Sequence, residues 1–260
     1  MSPIKEPQFF AEDRRGERRR IRKLENYLKC FAGAGDEPVV GEASTAYFAS
    51  PRAPFLIKEF APDARIIIML RSPVDKMYSR YGDARFTNQE PHPAFSDAID
   101  AELANGPSFG LGYINSSRYA EHVETYFRVF GRERVHVILY EDFKDRTAQL
   151  YAEVLRFLGA QATTKSDFPI LNASRRARSA LLQEFVRCPP EPLRRLARSV
   201  LSQPARRRIR DWCSRINLIY APQPPLDREF RNRLYSFFED DIRQLGMLIG
   251  RDLSCWLKGD

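Results

Sequence analysis

A three-layer α/β fold built on a parallel sheet is what this sequence predicts, and three observations carry the prediction. Two short unbroken apolar runs, Ile66–Leu70 and Val135–Tyr140, are rich in β-branched residues, as expected of strands buried on both faces of a parallel sheet. Each is followed by a segment with apolar residues at helical spacing, and strand-helix alternation of this kind favours parallel neighbours. The chain has 260 residues, enough to bury one substantial core. We read it as a single domain over 1–260, with an α/β core over 1–160 and a mainly helical C-terminal part over 161–260.

In chain order, residues 1–10 carry two prolines and read as a loop. Residues from about 12 to 31 have helical character, strongly basic at first, with Ile21, Leu24, Tyr27, Leu28 and Phe31 on one side and a turn over Gly33–Asp36. Val39–Glu42 is a short strand candidate that would deliver Glu42 and Ser44 to the rim where α/β sheets bind ligands. Three prolines then surround a short helix, Phe55–Phe60. After the first clear strand, Ser72 suits an N-cap and Pro73 the first helical position. Val74, Met77, Tyr78 and Tyr81 make one apolar helix face.

The opposite face gathers Ser72, Asp75, Lys76 and Ser79, with Arg71 at their head. A cation, free backbone N–H groups and a hydroxyl two turns in suit one anion, best a phosphate. The competing reading is an ordinary strand-turn-helix with a solvated polar face.

Further on, 84–93 is a polar loop able to approach a substrate, and Ala94–Asn105 a helix. Gly106–Asn115 is a Gly-rich loop, either a lid or plain surface. A helix capped by Ser117 buries Ala120, Val123, Phe127 and Phe130. His136 begins the second strand, away from the binding rim, and reads as structural. Tyr151, Val154, Leu155 and Leu158 give the next helix its stripe, and Gly159 stops it. Beyond lie basic helices interrupted by Pro189, Pro190 and Pro192. A final helix from Asp227 docks through Phe230, Leu234, Phe237 and Leu245.

The net charge of +8 and pI near 9.4 call for an anionic partner, and nucleotide, acidic glycan, nucleic acid and anionic membrane all fit. The arginine-rich blocks 14–23 and 175–215 lack interleaved stacking aromatics, so nucleic acid is not the expected partner, and most of these arginines should be solvated. No apolar run approaches about 18 residues and none follows Met1. A soluble protein without signal peptide or membrane partner is expected. The four cysteines are far apart and form no CxxC pair, which argues against zinc or a disulfide framework. They are expected to be small buried hydrophobes in a reducing compartment, the cytoplasm.

The run RIIIMLRSPVDKMYSRY resembles the 3'-phosphate-binding segment of sulfotransferases that use 3'-phosphoadenosine 5'-phosphosulfate (PAPS). Gly41-Glu-Ala-Ser-Thr-Ala-Tyr-Phe48 and the closing Gly250-Arg-Asp-Leu-Ser-Cys-Trp256 are similar to segments of the heparan-sulfate branch, so the resemblance spans nearly the whole chain. It implies a P-loop NTPase-like sulfotransferase fold, PAPS as co-substrate, adenosine 3',5'-bisphosphate as product, no metal, and a hydroxyl or amine acceptor, for which a glycan is one candidate. It places Arg71 and Ser79 on the 3'-phosphate, and Arg175 and Arg176 in a basic segment that closes over it. Glu6, in Lys5-Glu-Pro-Gln-Phe-Phe10, takes the place of the catalytic base, and Glu42 helps shape the acceptor pocket. Two features depart from the family. Ala43 stands where a Lys assists the sulfuryl group, and no GxxKxGTT loop for the 5'-phosphosulfate occurs, as if the fold were truncated at its front. A nucleotide-binding protein without catalysis and a basic nucleic-acid-binding module are the rival readings.

Overall fold

A computed structural model describes residues 2–13, 21–87, 89–106, 110–161, 167–168, 175–179, 185, 189–192, 195, 199, 202–220 and 223–258, without the side chains of 175–177 and of some residues within 203–220. It divides the chain into two compact units, Met1–Pro73 with Arg118–Phe168 and Tyr235–Asp260, and Val74–Ser117 with Pro169–Leu234.

In the first unit β1 (Ile66–Leu70) pairs in parallel with β2 (Val135–Leu139), from Ile66 opposite Val135 to Leu70 opposite Leu139. This is the parallel sheet the two apolar runs predict. Ile68, Leu70, Val135 and Leu139 are buried on one face. There Phe127 of α5 (Tyr119–Phe130) and Ile249 of α9 (Arg228–Ile249) border a cleft of about 220 Å³. On the other face Ile138 is buried and His136 stacks on Phe157 of α7 (Thr147–Leu158) at 5.2 Å, a structural role as expected. Ile67 and Met69, however, are 41% and 49% exposed. β1 is therefore buried on one face and not on both, because an apolar run records hydrophobicity and not what packs upon it.

Helix boundaries follow local chemistry closely in some places and tertiary partners in others. Gly159 ends α7 at φ 70°, a left-handed conformation open to glycine, with its N–H on the Arg156 carbonyl. By contrast, α5 is capped by Asp241 of α9, which accepts from the N–H groups of Tyr119 (2.9 Å) and Ala120 (3.2 Å). Ser117 does not cap it. Burial pushes the Asp241 carboxyl above its ordinary range. Along α9, Phe238, Ile242 and Leu245 are buried, each fully buried side chain of this size stabilising by roughly 1.5–3 kcal/mol. Phe237, read as a core residue, lies 40% exposed beneath the Arg118 guanidinium.

Near the N-terminus, α1 is only Leu24–Lys29, against the predicted 12–31, of which 14–20 lie outside the described residues. Leu24 and Leu28 are exposed, while Tyr27 is buried among Phe9, Phe10, Phe31 and Phe60. Residues 39–42 run without a strand partner among the described residues, so the predicted strand there does not form. The helix after it, α2 (Ala53–Phe60), does. Cys30 is buried but Cys255 is exposed, contrary to expectation.

The second unit is built on α3 (Pro73–Phe86), whose Val74, Met77 and Tyr81 are buried as its spacing predicts. α4 (Phe95–Asn105) supplies Glu102, 2% exposed, which accepts from the N–H groups of Tyr113 (2.7 Å) and Ile114 (2.9 Å). That carboxylate pins residues 113–115, part of the stretch read as lid or surface loop. A two-stranded antiparallel ladder joins β3 (Arg175–Ala177) to β4 (Leu218–Tyr220), and α8 (Gln203–Ile216) leads into it.

The closing Gly250–Trp256 segment is a clamp within the first unit. Arg251 grips Asp142 of α6 (Tyr140–Asp145) with two hydrogen bonds, 2.9 and 3.2 Å, and Arg146 adds a third at 3.1 Å. Trp256 is buried edge-on against Tyr119. The hydrogen bond from Arg251 is the main cause that holds the Asp142 carboxyl below its ordinary value near 3.8. Stability from this group is therefore present above that value and lost as pH falls through the lower folded pKa. Asp142→Asn should lower stability at pH 7 by about 1 kcal/mol or less, since the pair is partly exposed. Denaturant titrations should show the difference from wild type shrinking as pH falls below the ordinary carboxylate range, and a difference that stays constant with pH would contradict the clamp.

Candidate functional site

The C-terminal ends of β1 and β2 lie side by side, and polar groups collect there. Arg71 follows β1 directly and lays its guanidinium over the Tyr140 ring, 5.1 Å from the centroid. Such a contact is worth about 0.5–1 kcal/mol where solvent reaches it. It leaves the N–H fork unspent, since Arg71 has no carboxylate partner among the described residues. Ser72 is 5% exposed and its Oγ makes no hydrogen bond, so it does not cap α3 as predicted. Glu141 Oε2, at the end of the neighbouring strand, is also buried without a partner. Buried polar atoms are seldom left unpaired, so two of them just after neighbouring parallel strands make this rim a candidate place for a polar ligand.

The polar face of α3 divides in two. Asp75 pairs with Arg231 at 3.1 Å, and Lys76 donates to Ser116 Oγ (2.8 Å) and Ser117 Oγ (3.1 Å), so both serve the packing of the second unit. Ser79 is half-buried and its hydroxyl makes no hydrogen bond among the described residues. Arg71 belongs to the first unit and Ser79 to the second. Arg175 and Arg176 pair through their backbones with Tyr220 and Ile219, and their side chains lie outside the described residues.

Both predicted carboxylates come together in the first unit, around Ser44 and Thr45. Glu42 accepts from Tyr47 Oη (2.6 Å), Ser44 Oγ (2.7 Å) and Tyr27 Oη (3.3 Å). Burial, and then the Glu42 charge and its hydrogen bond, raise both tyrosine pKa values well above 10, so the hydroxyls stay protonated donors. Three donors on one carboxylate fix it in place. Glu6 is held differently. Its Oε2 accepts from the Thr45 N–H (2.7 Å) and Thr45 Oγ1 (3.1 Å), and Oε1 has no partner among the described residues. A tethered carboxylate with one free oxygen is the arrangement a proton acceptor needs.

The backbone at this point is strained. Glu6 has φ 56° and Gln8 φ 54°, and such conformations cost non-glycine residues about 1–3 kcal/mol each. Ser44 Oγ, which accepts from the Gln8 N–H at 3.0 Å, helps hold the bend. Gln8 is 7% exposed, yet its side-chain amide makes no hydrogen bond among the described residues. Sequence reasoning missed Gln8, Tyr27 and Tyr47. Gln8 and Tyr47 lie inside the segments Lys5–Phe10 and Gly41–Phe48 without a role of their own, and Tyr27 reads as part of an apolar helix side.

The chain is similar to known proteins in sequence and in fold. The sulfotransferase-domain family profile matches residues 20–176. The bifunctional heparan sulfate N-deacetylase/N-sulfotransferase 1 of Caenorhabditis briggsae is 20% identical over 147 residues, which are 53% of this chain. The chain spans 17% of the length of that curated relative. The crystal structure of a sulfotransferase from Alicyclobacillus acidocaldarius is similar at a TM-score of 0.70 and 26% identity, covering 99% of this chain and 87% of that one.

Replacing Tyr47 with Phe removes the shortest donor to Glu42 and leaves a partly buried carboxylate short of a partner. Thermal or urea denaturation should show a loss of about 1–3 kcal/mol. A variant as stable as wild type would mean that the Glu42 cluster carries no structural weight.

Proposed function

The chain belongs to the sulfotransferase-domain family, and from that premise we propose that it moves a sulfuryl group from PAPS to a hydroxyl or amine on a glycan-like acceptor. Adenosine 3',5'-bisphosphate is the second product. The observation that carries the reading is Arg71, a guanidinium at the end of a parallel strand, braced by Tyr140 and unclaimed by any carboxylate among the described residues. With the buried, unpaired Ser72 Oγ beside it in sequence, the strand end fits an anionic group. Arg71 binds the 3'-phosphate in this proposal, and the resemblance adds Ser79, Arg175 and Arg176 as its further ligands. Glu141 Oε2 is an acceptor left for a hydroxyl or amino group of the nucleoside.

In the transfer step the acceptor oxygen or nitrogen forms the new bond to sulfur while the bond from sulfur to the 5'-phosphate oxygen breaks. The bond electrons leave on the phosphate, and the acceptor proton passes to Glu6 Oε1. Glu42 acts as a positioning residue, since its three donors hold it where it shapes the acceptor side. The heparan sulfate relative supports a glycan-like acceptor, and Cys30, Cys213 and Cys255, the cysteines among the described residues, are free thiols that suit the cytoplasm. Binding without turnover is the second reading. Ala43 favours it, standing where the resemblance expects a cation to stabilise developing charge.

Calorimetric titration with adenosine 3',5'-bisphosphate tests the donor side. Arg71→Met should weaken binding about 10- to 100-fold, the worth of a charge-assisted hydrogen bond, without loss of folding. Unchanged affinity would overturn the assignment. Glu6→Gln should keep that affinity and lower sulfuryl transfer from PAPS about 10²- to 10⁴-fold. A wild-type chain that binds the bisphosphate but transfers nothing to any hydroxyl or amine acceptor would favour the second reading.

A further inference from the structure

α8 carries an apolar face that is exposed among the described residues. Ile209, Trp212 and Ile216 fall on one stripe at helical spacing, and they are 48%, 63% and 48% exposed. Scattered exposed apolar side chains are ordinary, but three aligned on one helix, with a tryptophan at the centre, form a patch that calls for a partner. The helix Gln203–Ile216 has five arginines and one aspartate in its sequence. Of these, Arg206 and Arg208 have no carboxylate partner among the described residues, and they lie at the two margins of the stripe.

We propose that α8 docks the protein on the surface of an anionic lipid bilayer. The Ile209–Trp212–Ile216 stripe sinks to the boundary of headgroups and acyl chains, while Arg206 and Arg208 reach lipid phosphates from either side. A strongly amphipathic basic helix of low overall hydrophobicity is the physical type that lies in this interface. Tryptophan is favoured at that depth because its ring is apolar and its N–H is polar. The contact is peripheral, since no helix of the described residues is long and apolar enough to cross a membrane. Two other occupants fit less well. A symmetric contact with a second copy would set the same arginines against each other. A nucleic acid backbone would satisfy the arginines but leave two isoleucines in water.

Co-sedimentation of the full chain with phosphatidylcholine vesicles, with and without phosphatidylserine, tests this. Binding should require the anionic lipid and weaken with added salt, and tryptophan emission should move to the blue on binding. Trp212→Phe should abolish that shift, because Trp256, the other tryptophan, is already buried. Arg206→Gln with Arg208→Gln should weaken vesicle affinity roughly thirtyfold. Trp212→Ala should weaken it as well, and both should leave the melting temperature unchanged, because Arg208 and Trp212 are exposed and Arg206 is half-buried without a carboxylate partner among the described residues. Failure to bind anionic vesicles, equal binding to neutral ones, or wild-type affinity in the double arginine variant would overturn the proposal. So would a blue shift produced by duplex DNA or by self-association without lipid.

Discussion

What Arg71 is able to do depends on the parallel pairing of β1 with β2. Because the strands run the same way, both carry their chains out at one rim, and the residue after β1 meets the residue after β2. Tyr140 is therefore under Arg71, and an aromatic face steadies a guanidinium without neutralising it. A carboxylate in the same place would have consumed the fork of N–H donors. The buried, unpaired oxygens of Ser72 and Glu141 at the same strand ends point the same way. The rim keeps polar capacity in reserve at a cost in stability, which makes sense when a ligand supplies the missing partners.

The two carboxylates near Thr45 show how neighbours divide labour between chemically similar groups. Three hydroxyl donors immobilise Glu42, whereas Glu6 is tied by one oxygen and free at the other. Reaching that position forces the chain through left-handed backbone at Glu6 and Gln8. Strain of this size persists only where surrounding contacts hold it, and here the Gln8 N–H on Ser44 and the aromatic packing of Phe9 and Phe10 on Tyr27 do so.

Away from the rim, charge is used mostly for construction. Glu102 holds a loop by its backbone, Asp241 caps a helix that is distant in sequence, and Asp142 with Arg251 ties the closing segment to the end of β2. These groups account for motifs that would otherwise read as functional, including Gly250–Trp256. Arg206 and Arg208 of α8, with no carboxylate partner among the described residues, belong to none of these arrangements, which is why they stand out beside an exposed tryptophan.

The sequence by itself determined the two strands, the helix face of Val74, Met77 and Tyr81, the stop at Gly159, and the residues that resemble a sulfotransferase. Each of these follows from local rules, namely β-branched runs, helical spacing, or the freedom of a glycine. It misjudged the second face of β1, the caps of α3 and α5, and the extent of α1, since each of those depends on what another segment brings. Only the tertiary structure decided that Arg71 rests on Tyr140 and that Glu42 is fully engaged while Glu6 keeps a free oxygen. Hydrogen bonds and ring contacts between residues far apart in the chain have no period and no spacing, so they exist as information only once the backbone is folded.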